Sequence, residues 1–268
     1  MNTDNRVRRR GLFNEDADGY RSSRPGYPAR AYRLLEETGA LRPGARVLEI
    51  GAGSGQATRE LLERGANVHA VELGADFAAR LRAEFHDRPL TVIEGDFDSL
   101  PDDALSGPDA GFDLVVCASS LHWLDRSTAL RRIACLLRPG GWIAAWWTVY
   151  GNPARPTPFR VALNTVLRHH RPAGDLKVLG PFDRDVWIGA LGAASFGDIR
   201  TETIQWPMTM SAQEVARLYA TFAAVRELPE PVRGALLRDI EAAAETLGGR
   251  VTEHCVTVVY LARRNLLT

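Results

Sequence analysis

The chain has 268 residues, and its 33 Lys and Arg balance its 33 Asp and Glu, which argues against a broad polyanionic partner such as a nucleic acid. A hydrophobic content of 45% with 25% charged residues is that of a soluble globular fold with a sizeable core. No apolar stretch is long enough to span a bilayer and no signal-peptide pattern follows the basic run at residues 6–10, so the expected location is the cytoplasm, with no membrane partner.

Taken in chain order, residues 20–28 (Tyr-Arg-Ser-Ser-Arg-Pro-Gly-Tyr-Pro) are rich in aromatic, arginine and turn residues, and a helical run follows from Ala29 to Glu37. Arg46 to Ile50 read as a short buried strand that runs straight into Gly51-Ala52-Gly53-Ser54-Gly55, and residues 56–64 read as an amphipathic helix with Leu61 and Leu62 on its apolar face. Glycines at alternate positions let the backbone turn sharply and remove the Cβ atoms that would block a ligand lying against it, the pattern of a nucleotide-type cofactor site. Residues 67–71 form a second apolar strand ending in Glu72, about 20 residues past the first glycine, where doubly wound folds place an acid on ribose hydroxyls. A carboxylate accepts two such bonds and presents no donor of its own.

Residues 90–94 read as a third strand leading into Gly95-Asp96-Phe97, and residues 112–118 as a fourth leading into Ser119-Ser120-Leu121-His122-Trp123. The turn Leu136-Leu137-Arg138-Pro139-Gly140-Gly141 closes a helix and opens a fifth strand at residues 142–148. Gly151, Pro153, Pro156 and Pro158 then interrupt the chain before a helical run at residues 159–170. Residues 196–206 and 255–262 read as the last two strands, and residues 211–247 between them carry two helix-like segments separated by Pro229-Glu230-Pro231. Cys117, Cys135 and Cys255 are odd in number, widely spaced and set in apolar patterns, so they read as small buried hydrophobes, with no disulfide framework and no metal site.

The spacing of the glycines separates two cofactor classes. A dinucleotide fingerprint requires Gly-x-Gly-x-x-Gly, but Gln56 holds its last position and the third glycine comes one residue early, at Gly55. Instead, Glu49-x-Gly51-x-Gly53-x-Gly55 resembles motif I of the class I S-adenosylmethionine-dependent methyltransferases, and the resemblance extends from residue 46 to residue 150. It implies an α/β fold, a Rossmann-like doubly wound seven-stranded sheet with an antiparallel last strand, and S-adenosyl-L-methionine as cofactor. By this resemblance Glu49, Gly51, Ala52, Gly53 and Gly55 lie along the methionine part, Glu72 and Leu73 at the ribose, Asp96 and Phe97 at the adenine, and Ser119 and Trp123 at the reacting end.

Two further segments, Arg24-Pro25-Gly26-Tyr27-Pro28 and His122-Trp123-Leu124-Asp125, resemble the small-molecule trans-aconitate methyltransferase-like group. There the first segment covers the cofactor, so Tyr20, Arg24 or Tyr27 is expected to meet the methionine carboxylate or close the pocket. The layout implied is one domain: a cofactor cover at 12–40, a core of 41–206 and 251–268, and a helical lid at 207–250 that serves the acceptor or, alternatively, packing or homodimerisation. The implied reaction is methyl transfer to a small organic molecule bearing a carboxylate or hydroxyl. An ionised carboxylate needs no base in such an in-line displacement, whereas a hydroxyl does, which makes His122 the candidate base or a group that orients substrate. His169, His170 and Arg171 either bind an anionic acceptor or form a solvated helix end. Three alternatives compete. A nucleic-acid base methyltransferase would carry an Asn/Asp-Pro-Pro-Tyr/Phe segment after strand four, and an NAD-dependent oxidoreductase the missing third glycine; a catalytically silent cofactor-binding protein would look the same.

Overall fold

The computed structural model describes residues 23–105, 111–170 and 182–266. Helix α1 (Ala29–Glu37) precedes β1 (Arg46–Ile50), α2 (Gln56–Glu63), β2 (Asn67–Glu72), α3 (Ala75–Glu84), β3 (Leu90–Glu94), the short α4 (Asp102–Leu105) and β4 (Phe112–Ala118). A single 3-10 turn, Leu121–Trp123, leads to α5 (Arg126–Leu136), β5 (Leu137–Val149), α6 (Pro158–His170), α7 (Arg184–Ala193) and β6 (Phe196–Ser211). Helices α8 (Ala212–Ala220), α9 (Ala223–Arg226) and α10 (Glu230–Glu245) separate β6 from β7 (Arg250–Arg264).

The seven strands form one sheet in the order β3-β2-β1-β4-β5-β7-β6. Pairings from β3 to β5 are parallel, and β7 runs antiparallel to both its neighbours, β5 and β6. Every residue of β4 is buried, as a central parallel strand with both faces covered requires. Successive side chains therefore feed two cores: Leu48, Val115 and Ile143 face the layer of α5 and α7, while Val47, Leu114 and Trp146 face Tyr32 and Leu35 of α1 and Leu61 of α2.

The last three strands run further than the sequence predicts. Strand β5 begins at Leu137, which pairs with Phe112 ahead of a register shift, so the Leu-Arg-Pro-Gly-Gly turn is already part of the sheet. Strand β6 continues through Pro207, which pairs with His254. Because β6 is the edge of the sheet, the amide hydrogen that proline lacks has no strand to meet on its outer side. The hairpin holds register to Ser211 opposite Arg250. There Ser211 ends the strand and starts α8 in the same residue: its Oγ accepts from the Glu214 amide at 3.2 Å while its own amide donates to Glu214 Oε2 at 2.7 Å. The helical insertion thus spans three helices, one more than predicted, and it has a core of its own in which Phe159 and Leu163 of α6 meet Val215, Leu236, Ile240 and Val251.

Cys117 and Cys255 are buried, and burial pushes their thiols up to about 12 and about 11, but Cys135 is exposed on α5, contrary to expectation. Among the described residues no helix is long and apolar enough to cross a membrane, and no group of three or more His, Cys, Asp or Glu is placed to hold a metal ion.

Candidate active site

A cleft opens at the carboxyl ends of β1, β2 and β4, the place where doubly wound sheets bind ligands. Its empty volume is about 920 Å³ with the open mouth included. The glycine loop forms one wall, and its three glycines, all left-handed, do three different jobs. A Cβ on Gly51 (φ 74°) would stand 2.7 Å from Cβ of Ser120, so this glycine lets the first loop approach the loop after β4. A Cβ on Gly53 (φ 56°) would meet no protein atom within 4 Å, because the space before it is the cleft itself. A Cβ on Gly55 (φ 84°) would press on Leu81 and Phe85 at 2.9 and 3.1 Å, so Gly55 serves the packing of α2 against α3 and does not line the cleft.

Glu49 also stands behind the loop. It is 1% exposed, its Oε2 accepts from Thr58 Oγ1 at 2.6 Å, and burial raises its carboxyl to about 8, so it is largely protonated at neutral pH. It ties β1 to α2 and does not line the cleft.

Glu72 is different: it lines the cleft at the end of β2, with Oε2 accepting from the Gly53 amide at 2.7 Å and Oε1 from the Gly74 amide at 2.8 Å. Burial pushes its carboxyl up and these backbone bonds oppose that shift. A carboxylate has about four acceptor sites, so acceptor capacity remains for a ligand hydroxyl beside these backbone donors. Ala52 and Leu73 line the same wall, and beyond them Asp96 and Phe97 close the far end. Phe77 of α3 joins them, a lining residue that the sequence reading missed because only the turn Leu73-Gly74 brings its helix over the cleft.

At the other end β4 releases into Ser119, a non-glycine residue at φ 59°, a strained conformation of the kind that collects at functional sites. Its amide donates to the Trp146 carbonyl at 2.8 Å, and Ser120 Oγ donates to the Ile50 carbonyl. Tyr27 comes down over this turn, its hydroxyl 3.3 Å from the Ala118 carbonyl and 3.2 Å from Ser119 Oγ, with its ring edge-on to Trp146 at 5.6 Å. Ser119, Trp123 and Tyr27 all line the cleft. His122 does not: its ring lies 4.6 Å from Trp123, and its Nδ1 accepts from Trp147 Nε1 at 2.8 Å.

Arg24 stands away from the cleft. Its Nε donates to Thr221 Oγ1 at 2.8 Å and its guanidinium lies 4.5 Å from the Phe222 ring centre, so this side chain fastens the N-terminal segment to the helical insertion. Its carbonyl meets Gln56 Nε2 at 3.4 Å. Tyr20 lies outside the described residues, as does Arg171; His170 pairs with Asp239 of α10 at 2.6 Å, joining two helices. The residues that do line the cleft fit S-adenosylmethionine: an open face at Gly53, a buried acid with spare acceptors at Glu72, and aromatic cover at Phe77 and Phe97.

Comparison with known proteins agrees with this geometry. A methyltransferase domain family matches residues 48–145, the glycine loop through β5. An uncharacterized methyltransferase of Mycobacterium tuberculosis is 32% identical over 176 residues, 59% of this chain and 68% of that protein. An uncharacterized methyltransferase-like protein of Schizosaccharomyces pombe is 23% identical over 236 residues, 88% of this chain and 86% of that one. Among solved structures, phosphoethanolamine N-methyltransferase 2 of Haemonchus contortus, solved with S-adenosyl-L-methionine, shares the fold at a TM-score of 0.56 and 18% identity, over 94% of this chain and 57% of that one. The chain belongs to the class I S-adenosylmethionine-dependent methyltransferases.

Proposed function

We propose that the protein transfers a methyl group from S-adenosylmethionine to a small organic acceptor bearing a carboxylate or a hydroxyl. The observation that supports this most is a single cleft in which the glycine loop, Glu72 and the Phe77–Phe97 end lead to a reacting end closed by Tyr27, Ser119 and Trp123. When bound, the cofactor supplies an electrophilic sulfonium methyl. In this reading the backbone at Gly53 receives the methionine part, Glu72 accepts from the ribose hydroxyls, Asp96 meets the adenine amino group, and Phe97 with Phe77 covers the ring.

At the reacting end Tyr27 and Trp123 exclude water, and alignment with desolvation does most of the catalytic work, as in-line methyl transfer allows. Of the proposed cover at 12–40, residues 12–22 lie outside the described residues; residues 23–40 act as cofactor cover and the helical insertion as lid over the acceptor, the two fastened by Arg24 on Thr221.

The test is release of S-adenosylhomocysteine with separate panels of small carboxylic acids, phenols, amines and oligonucleotides. Turnover with a member of the first two panels supports the proposal. Turnover only with amines or oligonucleotides contradicts the acceptor class, and cofactor binding without turnover on any panel points to a silent binding protein.

A further inference from the structure

We infer that Trp147 fixes His122 as its Nε2–H tautomer, so that this imidazole serves as a hydrogen-bond donor and not as the base that removes a proton. The inference rests on the proposed reaction only for the use of that donor; the tautomer follows from the geometry. An indole Nε1–H donates and cannot accept. Its bond to His122 Nδ1, at 2.8 Å, therefore requires a lone pair on Nδ1, and a neutral imidazole then carries its one hydrogen on Nε2. Turning the ring over would set carbon against the indole N–H and lose the bond, so the same contact selects the ring orientation.

Trp147 is in no position to give way. It is 7% exposed, it pairs with Val258 within the sheet, and its ring packs 4.7 Å from Trp187 and 6.0 Å from Tyr260. His122 also packs against Trp123, ring centres 4.6 Å apart, and Trp123 lines the cleft. For Nε2 to take a proton from an acceptor, the neutral ring would first have to carry its hydrogen on Nδ1, which sets one N–H against another. A ring held in this tautomer takes no proton, so the reacting oxygen of the acceptor has to arrive already ionised. The proton stays on Nε2 throughout, and the methyl group is the only group transferred. Trp147 is thus a positioning residue, acting through His122.

The experiment is a long-range proton–nitrogen correlation spectrum of the full chain labelled with ¹⁵N-histidine, with the His122 signals assigned by their loss in His122→Gln. The expected spectrum shows His122 protonated at Nε2 and unprotonated at Nδ1, and Trp147→Phe loses this bias, the second tautomer appearing. His122 protonated at Nδ1 in the unaltered protein overturns the inference, as does a tautomer ratio that Trp147→Phe leaves unchanged. Should Trp147→Phe not fold, the spectrum of the unaltered protein decides alone. Calorimetry with S-adenosylmethionine on the same sample keeps the two readings apart, because a wrong tautomer with intact binding overturns only this inference, and absent binding with the expected tautomer overturns only the proposed reaction.

Discussion

Gly53 and Gly55 sit two residues apart in the same loop, both left-handed, yet their surroundings predict opposite phenotypes. Gly53→Val puts a branched side chain at positive φ and into the open cleft, so cofactor affinity should fall by about 100-fold or more, roughly 3 kcal/mol, while the far-ultraviolet circular dichroism of the fold is kept. Gly55→Ala meets Leu81 and Phe85 instead, so the melting temperature should fall with affinity little changed. Calorimetry on both variants checks the pair, and equal affinity losses would contradict the division of labour. Glu49 predicts a pH effect. Its carboxyl is raised from 4.5 to about 8 by burial, so the folded protein holds a proton that the unfolded chain releases. The stability this contributes is full below about pH 4, falls as pH rises from 4.5 towards about 8, and is gone above that. Glu49→Gln keeps an oxygen for Thr58 and has nothing to titrate, so its melting temperature should drop less than that of the unaltered protein between about pH 5 and about pH 9, by several degrees. Glu72, shifted in the same direction, contributes to both proteins and cancels in the difference.

Among the elements, the helical insertion hangs on Arg160. From α6 its Nη1 donates to Tyr219 Oη of α8 at 2.9 Å, its Nη2 pairs with Glu253 of β7 at 3.0 Å, and the same group reaches the Tyr150 carbonyl. Gly151 makes room for this, since a Cβ there would collide with the guanidinium. Glu253 is 2% exposed, so Arg160→Ala strands a buried carboxylate and should cost about 3–5 kcal/mol in denaturant unfolding, whereas Arg160→Met with Glu253→Leu should recover most of it. A loss under about 1 kcal/mol in the single variant would contradict this account of the insertion. The same network explains what could be read from the sequence. Strands β1 to β4 were legible to within a residue because each is an apolar run bounded by charge or glycine. The extensions of β6 and β7 were not, because Pro207 reads as a breaker until its strand is known to be an edge, and Glu253 reads as loop until Arg160 is known to pair with it. Arg24 could not be placed at all from local pattern, since its partner Thr221 lies 197 residues away.

Across the whole molecule, the sheet brings the ends of β1, β2 and β4 to one line, and the cleft on that line gathers ten of the residues that motif resemblance proposed: Tyr27, Gly51, Ala52, Gly53, Glu72, Leu73, Asp96, Phe97, Ser119 and Trp123. Glu49 and Gly55 belong to the same motif but work from behind it, a distinction that spacing alone does not carry. The acceptor is the least legible part, because acceptor pockets are built from loops and insertions that the common scaffold does not determine. The central claim is the cofactor class, and isothermal titration calorimetry of the purified protein with S-adenosylmethionine, S-adenosylhomocysteine and NAD(H), in one buffer, tests it most directly. Micromolar binding of the first two and none of NAD(H) is the predicted result. Binding of NAD(H) alone would contradict the account at its root, since it would mean that Gly55, one residue early, still serves a dinucleotide.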